Sequence, residues 1–254
     1  MEQRKEKEIK HYDEGSREWL QHPTAFEVYT PLALASYQFC YALLARYAQG
    51  KRVLDYGCGN GVHLPCLATI FESVVGIDLS EPSLEIARKR IEHLPKKNKI
   101  TLLPMDCEHL KFEDNTFDVV FDGGTFSSLD FDSALKEIAR VLKPDGCVIG
   151  VETFGHNPCT NFKRRLNQFR GKRTSWAADH ILNTTHLERA HNYFEKIHVY
   201  YFHIISWIAF PFLGKPGGTL FLRLLEKIDT ILFFFPFLRK YAFKIVFIFS
   251  SPIK

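Results

Sequence analysis

The chain has 254 residues, which is enough for one domain with a large hydrophobic core, or for one domain with a lid. A net charge of +4 and a sequence pI near 8.6 are too mild to indicate a nucleic-acid partner by themselves. The six cysteines are scattered without a C-x-x-C pair, so we expect neither a metal site nor a disulfide framework. Residues 1–10 are highly charged, so we expect no signal peptide. Together these features predict a cytoplasmic protein.

Residues 1–49 are predicted to form a helical arm or cap ahead of the first strand. Lysine and arginine alternate with glutamate over residues 1–18, a pattern typical of a charged helix. This helix is expected either to be solvated or to fold back over a site, in which case His11 and Tyr12 would line that site. Residues 31–47 repeat apolar side chains at helical spacing, and a glycine follows as a stop signal.

A glycine-rich turn follows the first predicted strand, in the run 53–61 with the sequence VLDYGCGNG. The alternate glycines Gly57, Gly59 and Gly61 remove Cβ atoms where the chain turns sharply, and they let a ligand lie against the backbone. A dinucleotide fingerprint has the different spacing G-x-G-x-x-G. Asp55, two residues before the first glycine, would repel a phosphate and attract a cation.

Acidic residues end the next predicted strands in the same way. The apolar run before Asp78 predicts a second strand, whose acid lies roughly 20 residues past the turn, where a carboxylate can bind both hydroxyls of a ribose. Residues 102–107 predict a third strand that runs to Asp106, and residues 117–122 predict a fourth. Carboxylates avoid burial without partners, so acids at successive strand ends favour a cationic cofactor with hydroxyl and amine groups.

The order of these landmarks, over about residues 50 to 152, resembles that of the class I, Rossmann-like S-adenosylmethionine-dependent methyltransferases. Their cofactor carries a sulfonium and an ammonium but no phosphate. The resemblance implies that Asp106 meets the adenine amine, that the next residue's backbone faces the ring, and that the N-terminal arm closes over the cofactor. The cofactor-binding residues that it implies are Asp55, Gly57, Cys58, Gly59, Asp78, Leu79, Asp106, Cys107 and Asp122.

The alternation of strands and helices predicts a parallel sheet with right-handed crossovers. Residues 194–204 and 241–249 predict the sixth and seventh strands, and the resemblance places the last strand antiparallel between strands five and six. We expect a doubly wound, mostly parallel seven-stranded α/β sheet with an antiparallel last strand and a helical, apolar insertion between strands six and seven. The domain would span residues 50–254, with 153–193 and 206–240 as lid insertions on the substrate side.

Methyl transfer from an activated sulfonium depends chiefly on alignment, and it needs a base only where the acceptor is protonated, as a hydroxyl is. The sequence has no signature base. His156 follows strand five on the ligand rim and Asp122 ends strand four, so both are candidate catalytic residues; the alternatives are a structural role for His156 and a turn cap for Asp122. Arg164, Arg173 and His180 are the candidate acceptor-binding residues.

The acceptor is predicted from two features beyond strand five. Residues 163–173 are basic without an acid, and residues 206–249 are richer in Phe, Leu and Ile than a lid requires. Together they suit O-methylation of an amphipathic acceptor, a lipid or lipid-linked saccharide with an anionic head, by a protein docked on the inner membrane face. A loose likeness of the turn 155–158 and of residues 179–182 to bacterial cell-envelope methyltransferases points the same way.

Three alternatives to this acceptor stay open. The first is a solvated basic helix beside an ordinary core, with a small soluble metabolite as the acceptor. The second is a regulatory protein that binds the cofactor and transfers nothing. A nucleic-acid acceptor is disfavoured, because no Asn-Pro-Pro-aromatic motif follows strand four. No apolar run is long enough and free enough of charge to predict a membrane-spanning helix.

Overall fold

The computed structural model of the chain describes residues 2–21, 33–47, 51–169 and 174–254. A seven-stranded sheet forms its centre, with the strand order β3-β2-β1-β4-β5-β7-β6. The strands are β1 Arg52–Tyr56, β2 Ser73–Asp78, β3 Ile100–Pro104, β4 Phe117–Asp122, β5 Leu142–Thr153, β6 Phe194–Phe202 and β7 Lys244–Pro252. Neighbours are parallel except that β7 is antiparallel to both β5 and β6. The predicted sheet is confirmed.

Helices pack on both faces of this sheet. They are α1 Glu2–Gln21, α2 Ala35–Tyr47, α3 Leu64–Ile70, α4 Glu81–Ile91, α5 Phe131–Val141, α6 Pro158–Phe169, α7 Ser175–Asp179, α8 Thr184–Ala190 and α9 Gly218–Leu232. One core cluster joins the sheet to α2, α3 and α9, and the other joins it to α5 and α8. Side chains fix where the two long crossover helices begin, since Ser80 caps α4 and Asp130 caps α5.

Helix α1 lies across the carboxyl ends of the strands. Near its start Arg4 pairs with Glu108 and Lys5 pairs with Asp106, both just beyond β3. Farther along, the Tyr12 hydroxyl lies 3.0 Å from the Ser128 hydroxyl, and Ser16 contacts the first turn of α4 through Ser83. The charged arm therefore folds back over the sheet edge where ligands bind in open α/β folds.

The segment between β6 and β7 is the expected helical, apolar insertion. It consists of a 3-10 helix Ser206–Phe212, then α9, then a second 3-10 helix Pro236–Tyr241, so β7 begins at Lys244 rather than at residue 241. Asp229 holds it together by accepting hydrogen bonds from the backbone N–H groups of Ile205 and Ser206 at 2.8 and 3.2 Å. Within the described ranges, no helix is long and apolar enough to cross a membrane.

The outer face of this insertion carries large apolar side chains in solvent. We call it the insertion face; its most exposed members are Leu220, Leu224, Ile231, Phe234 and Phe237, each at least half exposed. The two acids between residues 206 and 243 point inward, because Asp229 is buried and the Glu226 side chain is 11% exposed. The face is thus apolar and basic.

Candidate active site

The glycine turn after β1 forms the floor of a cavity of about 260 Å³. Gly57, Gly59 and Gly61 have φ angles of +70°, +50° and +73°, a region that favours glycine. A Cβ on Gly57 would collide with the Thr125 side chain, and one on Gly61 would come within 2.9 Å of the Ala87 Cβ. A Cβ on Gly59 would meet no atom within 4 Å, because it would project into open space. This turn therefore leaves room for a ligand at Gly59.

Most residues that the sequence predicted at the cofactor do line this cavity. They are Gly57, Cys58 and Gly59 after β1, Asp78 and Leu79 after β2, and Asp106 and Cys107 after β3. The arm adds Lys5, Glu8, Ile9 and Tyr12 from α1, of which the sequence analysis anticipated Tyr12 alone. The cofactor contacts of these residues stay predictions, but the lining brings them together at one sheet edge.

Asp78 joins the first two strand ends. Its Oδ2 accepts a hydrogen bond from the Gly59 N–H at 2.9 Å, and its Oδ1 accepts one from the Ser80 N–H at 2.8 Å. Burial raises the pKa of this carboxyl above its usual range, and the backbone hydrogen bonds offset only part of that rise. Asp78 thus shapes the glycine turn and still presents lone pairs to the cavity.

Asp106 is held by the arm. Its Oδ2 binds the Lys5 ammonium, and its Oδ1 accepts a hydrogen bond from the Glu108 N–H at 2.9 Å. Burial raises the pKa of this carboxyl, but the bonds from Lys5 and the backbone outweigh burial, so the pKa lies below its usual range. An adenine amine at this position would share Asp106 with Lys5.

Asp55 and Asp122 lie beneath the cavity rather than in the described lining. Asp55 is 1% exposed, and burial, reinforced by the charge of Asp78, raises its pKa to about 8. Asp122 is fully buried, and burial followed by the charge of Glu152 raises its pKa well above the usual range. One oxygen of each carboxyl has no hydrogen-bond partner in the described part of the chain. Two acids that take up protons easily thus lie under the glycine turn.

A second cavity, of about 400 Å³, adjoins the first. Gly123, Gly124 and Tyr12 line both cavities, so the two meet just beyond β4. His11 contributes to the second lining, as expected of an arm that folds back. A cofactor in the first cavity and an acceptor in the second would therefore face each other across the Gly123–Gly124 turn.

Two charged residues of this second cavity, Glu152 and Lys244, are not among the site residues that the sequence predicted. Lys244 is 9% exposed, and its Nζ lies 3.4 Å from the Tyr37 hydroxyl, with no carboxylate oxygen of the described chain within 4.0 Å. Glu152 Oε1 accepts a hydrogen bond from the Phe126 N–H at 2.8 Å. A signal existed for both, because Glu152 directly follows the apolar run 147–151 and Lys244 directly precedes the apolar run 245–249.

The predicted catalytic histidine, His156, makes its hydrogen bond outside the described linings of the two cavities. His156 Nε2 accepts a hydrogen bond from the Thr184 N–H at 3.2 Å, and burial followed by the charge of Lys240 lowers its pKa. His156 is absent from the described lining of both cavities. Its role as a base stays a prediction, and the geometry equally accommodates the structural alternative.

The predicted acceptor-binding residues are also placed apart from the two linings. The buried Arg164 guanidinium donates to Asn161 Oδ1 at 2.6 Å and to the Phe154 carbonyl at 3.2 Å. His180 stacks on Trp176 with a centroid distance of 3.5 Å. Arg173 lies outside the described residues. These three roles stay predictions.

Comparisons with known proteins agree with this geometry. Residues 54–150 match a family model described as a methyltransferase domain. The demethylmenaquinone methyltransferases of Staphylococcus haemolyticus and Bacillus cereus are 38% and 40% identical over 108 residues, which is 41% of this chain and 44% and 45% of theirs. The chain thus matches less than half the length of these curated relatives.

A solved structure extends the likeness of fold. Haemonchus contortus phosphoethanolamine N-methyltransferase 2, in complex with S-adenosyl-L-methionine, superposes with a TM-score of 0.61 at 20% identity. The superposition covers 94% of this chain and 60% of that one. The sheet order, the glycine turn with its strand-end acids and the domain match lead to one assignment. Residues 54–150 thus match a methyltransferase domain, and the sheet has the Rossmann-like fold of the class I S-adenosylmethionine-dependent methyltransferases.

Proposed function

We propose that the chain transfers a methyl group from S-adenosylmethionine to an oxygen of an amphipathic, lipid or lipid-linked acceptor at a membrane surface. The observation that carries this proposal is the pair of cavities that meet at Gly123 and Gly124. When bound in the first cavity, the cofactor would supply an activated methyl group. The chain's own task is then to align an acceptor oxygen with it and to exclude water.

The residues of the first cavity fit this cofactor. Gly59 leaves open space for it, and Asp78 can accept hydrogen bonds from ribose hydroxyls. The carboxylates around the cavity suit a ligand that carries positive charge and no phosphate. We propose that Asp106, Cys107 and the Gly57–Gly59 backbone hold the remainder of the cofactor.

The second cavity suits an acceptor with an acidic oxygen. A buried ammonium such as that of Lys244 is costly unless an anion or a strong acceptor compensates it, and Tyr37 is its hydrogen-bond partner in the described chain. An acceptor hydroxyl beside Lys244 would ionise more easily. Burial and the charge of Glu152 raise the pKa of Asp122 well above its usual range. Glu152 is a further candidate proton acceptor beside the predicted His156 and Asp122.

The insertion face supports an acceptor that is presented by a membrane. It exposes Phe234, Phe237 and neighbouring apolar residues together with the cations Lys215, Lys227, Arg239 and Lys240. An apolar surface with a basic rim binds anionic bilayers, at about 1 kcal/mol for each cation near the surface. The curated relatives are named for demethylmenaquinone, a lipid-like quinone, which is consistent with such an acceptor.

Three measurements test this function. Calorimetry with S-adenosylhomocysteine is expected to show binding to the native chain and none to Asp78→Ala. Radiolabelled S-adenosylmethionine is then incubated with the protein and with either the lipid or the aqueous fraction of a bacterial extract, and vesicle flotation is run with and without anionic lipid. Label in the lipid fraction and flotation on anionic vesicles are expected. Label confined to aqueous compounds, with no flotation, would assign a soluble metabolite instead, and binding without any label would assign a regulatory protein.

A further inference from the structure

Glu8 is a buried acidic side chain of the arm that has no hydrogen-bond partner among the residues that the structure describes. Glu8, in the middle of α1, is 7% exposed and lines the cofactor cavity. Both of its carboxylate oxygens are buried, and neither has a hydrogen-bond partner in the part of the chain that the structure describes. A buried carboxylate in this state costs free energy until a donor reaches it.

The cations near Glu8 are bound to other acids. Arg4, one turn earlier, donates to Glu108, and Lys5 binds Asp106 and lies 3.0 Å from Glu108 Oε2. Lys5, Glu8 and Tyr12 follow one another at helical spacing along the face that lines the cavity. Glu8 therefore lies between the Asp106 end of the cavity and the Ser128 end, which Tyr12 contacts.

We propose that Glu8 is a cofactor-binding residue, whose carboxylate accepts hydrogen bonds from the hydroxyl or amino groups of S-adenosylmethionine. This inference rests on the proposed function and adds a residue that lies outside the matched domain of residues 54–150. It also links the two cavities. His11 and Tyr12 of the same helix line the acceptor side, so a cofactor that holds Glu8 holds that wall in place as well.

The competing explanation is local. The Arg4 Nη1 group is also buried and has no acceptor within the described ranges, and Glu8 is one helical turn away from it. Under that explanation Glu8 stabilises the arm through Arg4, and its replacement lowers stability without changing the affinity for the cofactor. A binding measurement paired with a stability measurement separates the two roles.

The test is calorimetry with S-adenosylhomocysteine on the native chain, Glu8→Gln, Glu8→Ala and a control, Glu14→Gln. Glu14 is on the same helix with its side chain 65% exposed, so its replacement is expected to leave affinity within about twofold. Both Glu8 variants are expected to bind at least about tenfold more weakly. Glu8→Gln keeps the shape of the side chain, and a thermal melt without ligand confirms that it folds.

Limited trypsin digestion adds a readout of the arm itself. Lys7 and Lys10 are exposed on α1, and S-adenosylhomocysteine is expected to protect them in the native chain and less in Glu8→Ala. Native affinity in both Glu8 variants would overturn the inference while leaving the proposed function intact. A native chain that binds no S-adenosylhomocysteine would overturn the proposed function itself.

Discussion

The cofactor side and the acceptor side of the sheet edge are built over very different distances along the chain. On the cofactor side, Gly59 and Asp78 are hydrogen-bonded across 19 residues, and each lies just beyond a buried strand. On the acceptor side, Lys244 and Tyr37 meet across 207 residues. Local construction lets one turn and its strand ends define the cofactor cavity. Long-range construction lets the acceptor cavity change with α2 or β7 while the cofactor cavity is kept.

The largest effect is expected from a substitution that disrupts the cofactor side alone. In Gly59→Val, the new side chain would enter the open space of the first cavity and would strain a residue at φ +50°. We expect affinity for S-adenosylhomocysteine to fall at least about 100-fold, measured by calorimetry. Gly214→Val is the matched control, because Gly214 has φ +83°, also has open space around its Cβ position, and lies outside both linings. Equal affinity in the two variants would contradict the placement of the cofactor.

The next effect isolates the acceptor side. Lys244→Met removes the buried ammonium of the second cavity and keeps most of its volume. We expect turnover of the acceptor to fall about 30-fold, because charge-assisted hydrogen bonds contribute about 2 kcal/mol, while the affinity for S-adenosylhomocysteine stays native. Lys136→Met, at an exposed position of α5 outside both linings, is the control. A parallel loss of cofactor affinity in Lys244→Met would mean that the two sides are not separable.

The same contrast explains what the sequence could predict. Gly59, Asp78 and Asp106 were predicted because a strand end fixes the position of the residue that follows it. Glu8 could not be predicted, since its position depends on how α1 folds back. Lys244 had a strand-end signal, but the cavity that it lines depends on how β7 enters the sheet.

The local sequence pattern also predicts poorly which polar side chains are buried. Asp55 is expected at the cofactor and stays a prediction there, but its side chain is buried and absent from the described lining of the first cavity. Arg164 belongs to a run of cations that looks like a solvated or ligand-binding surface, yet its guanidinium lies against the Phe154 carbonyl. Both residues have the expected secondary structure, and only tertiary packing decides which way they face.

A smaller effect is expected on stability, because the buried acid Asp55 lowers the free energy of unfolding as the pH rises. Burial, with the charge of Asp78, raises the pKa of Asp55 to about 8, whereas an unfolded chain gives about 3.9. Between these two pH values the folded state binds one more proton than the unfolded state. The contribution of Asp55 to the free energy of unfolding is therefore full below pH about 4 and is lost as the pH rises to about 8. Asp55→Asn is expected to gain about 2 kcal/mol over the native chain between about pH 5 and about pH 6.5, measured by urea unfolding without cofactor. Asp145→Asn, at an exposed position of β5, should show no such trend, and identical pH profiles for the two variants would refute the assignment.

The smallest effect is expected on membrane binding by the insertion face, and two leucines of the same helix test it. Leu222 of α9 is fully buried in the core, whereas Leu224 is 53% exposed on the insertion face. Leu222→Ala is expected to lower the free energy of unfolding by about 2–4 kcal/mol, as core truncations do. Leu224→Ser is expected to leave that free energy unchanged and to weaken binding to anionic vesicles by several-fold, since a partly inserted leucine contributes about 1 kcal/mol. Flotation at low and high salt measures the second effect, and calorimetry with S-adenosylhomocysteine checks that cofactor binding is native. If Leu224→Ser floats like the native chain, the insertion face does not meet the bilayer, and its exposed side chains require another partner.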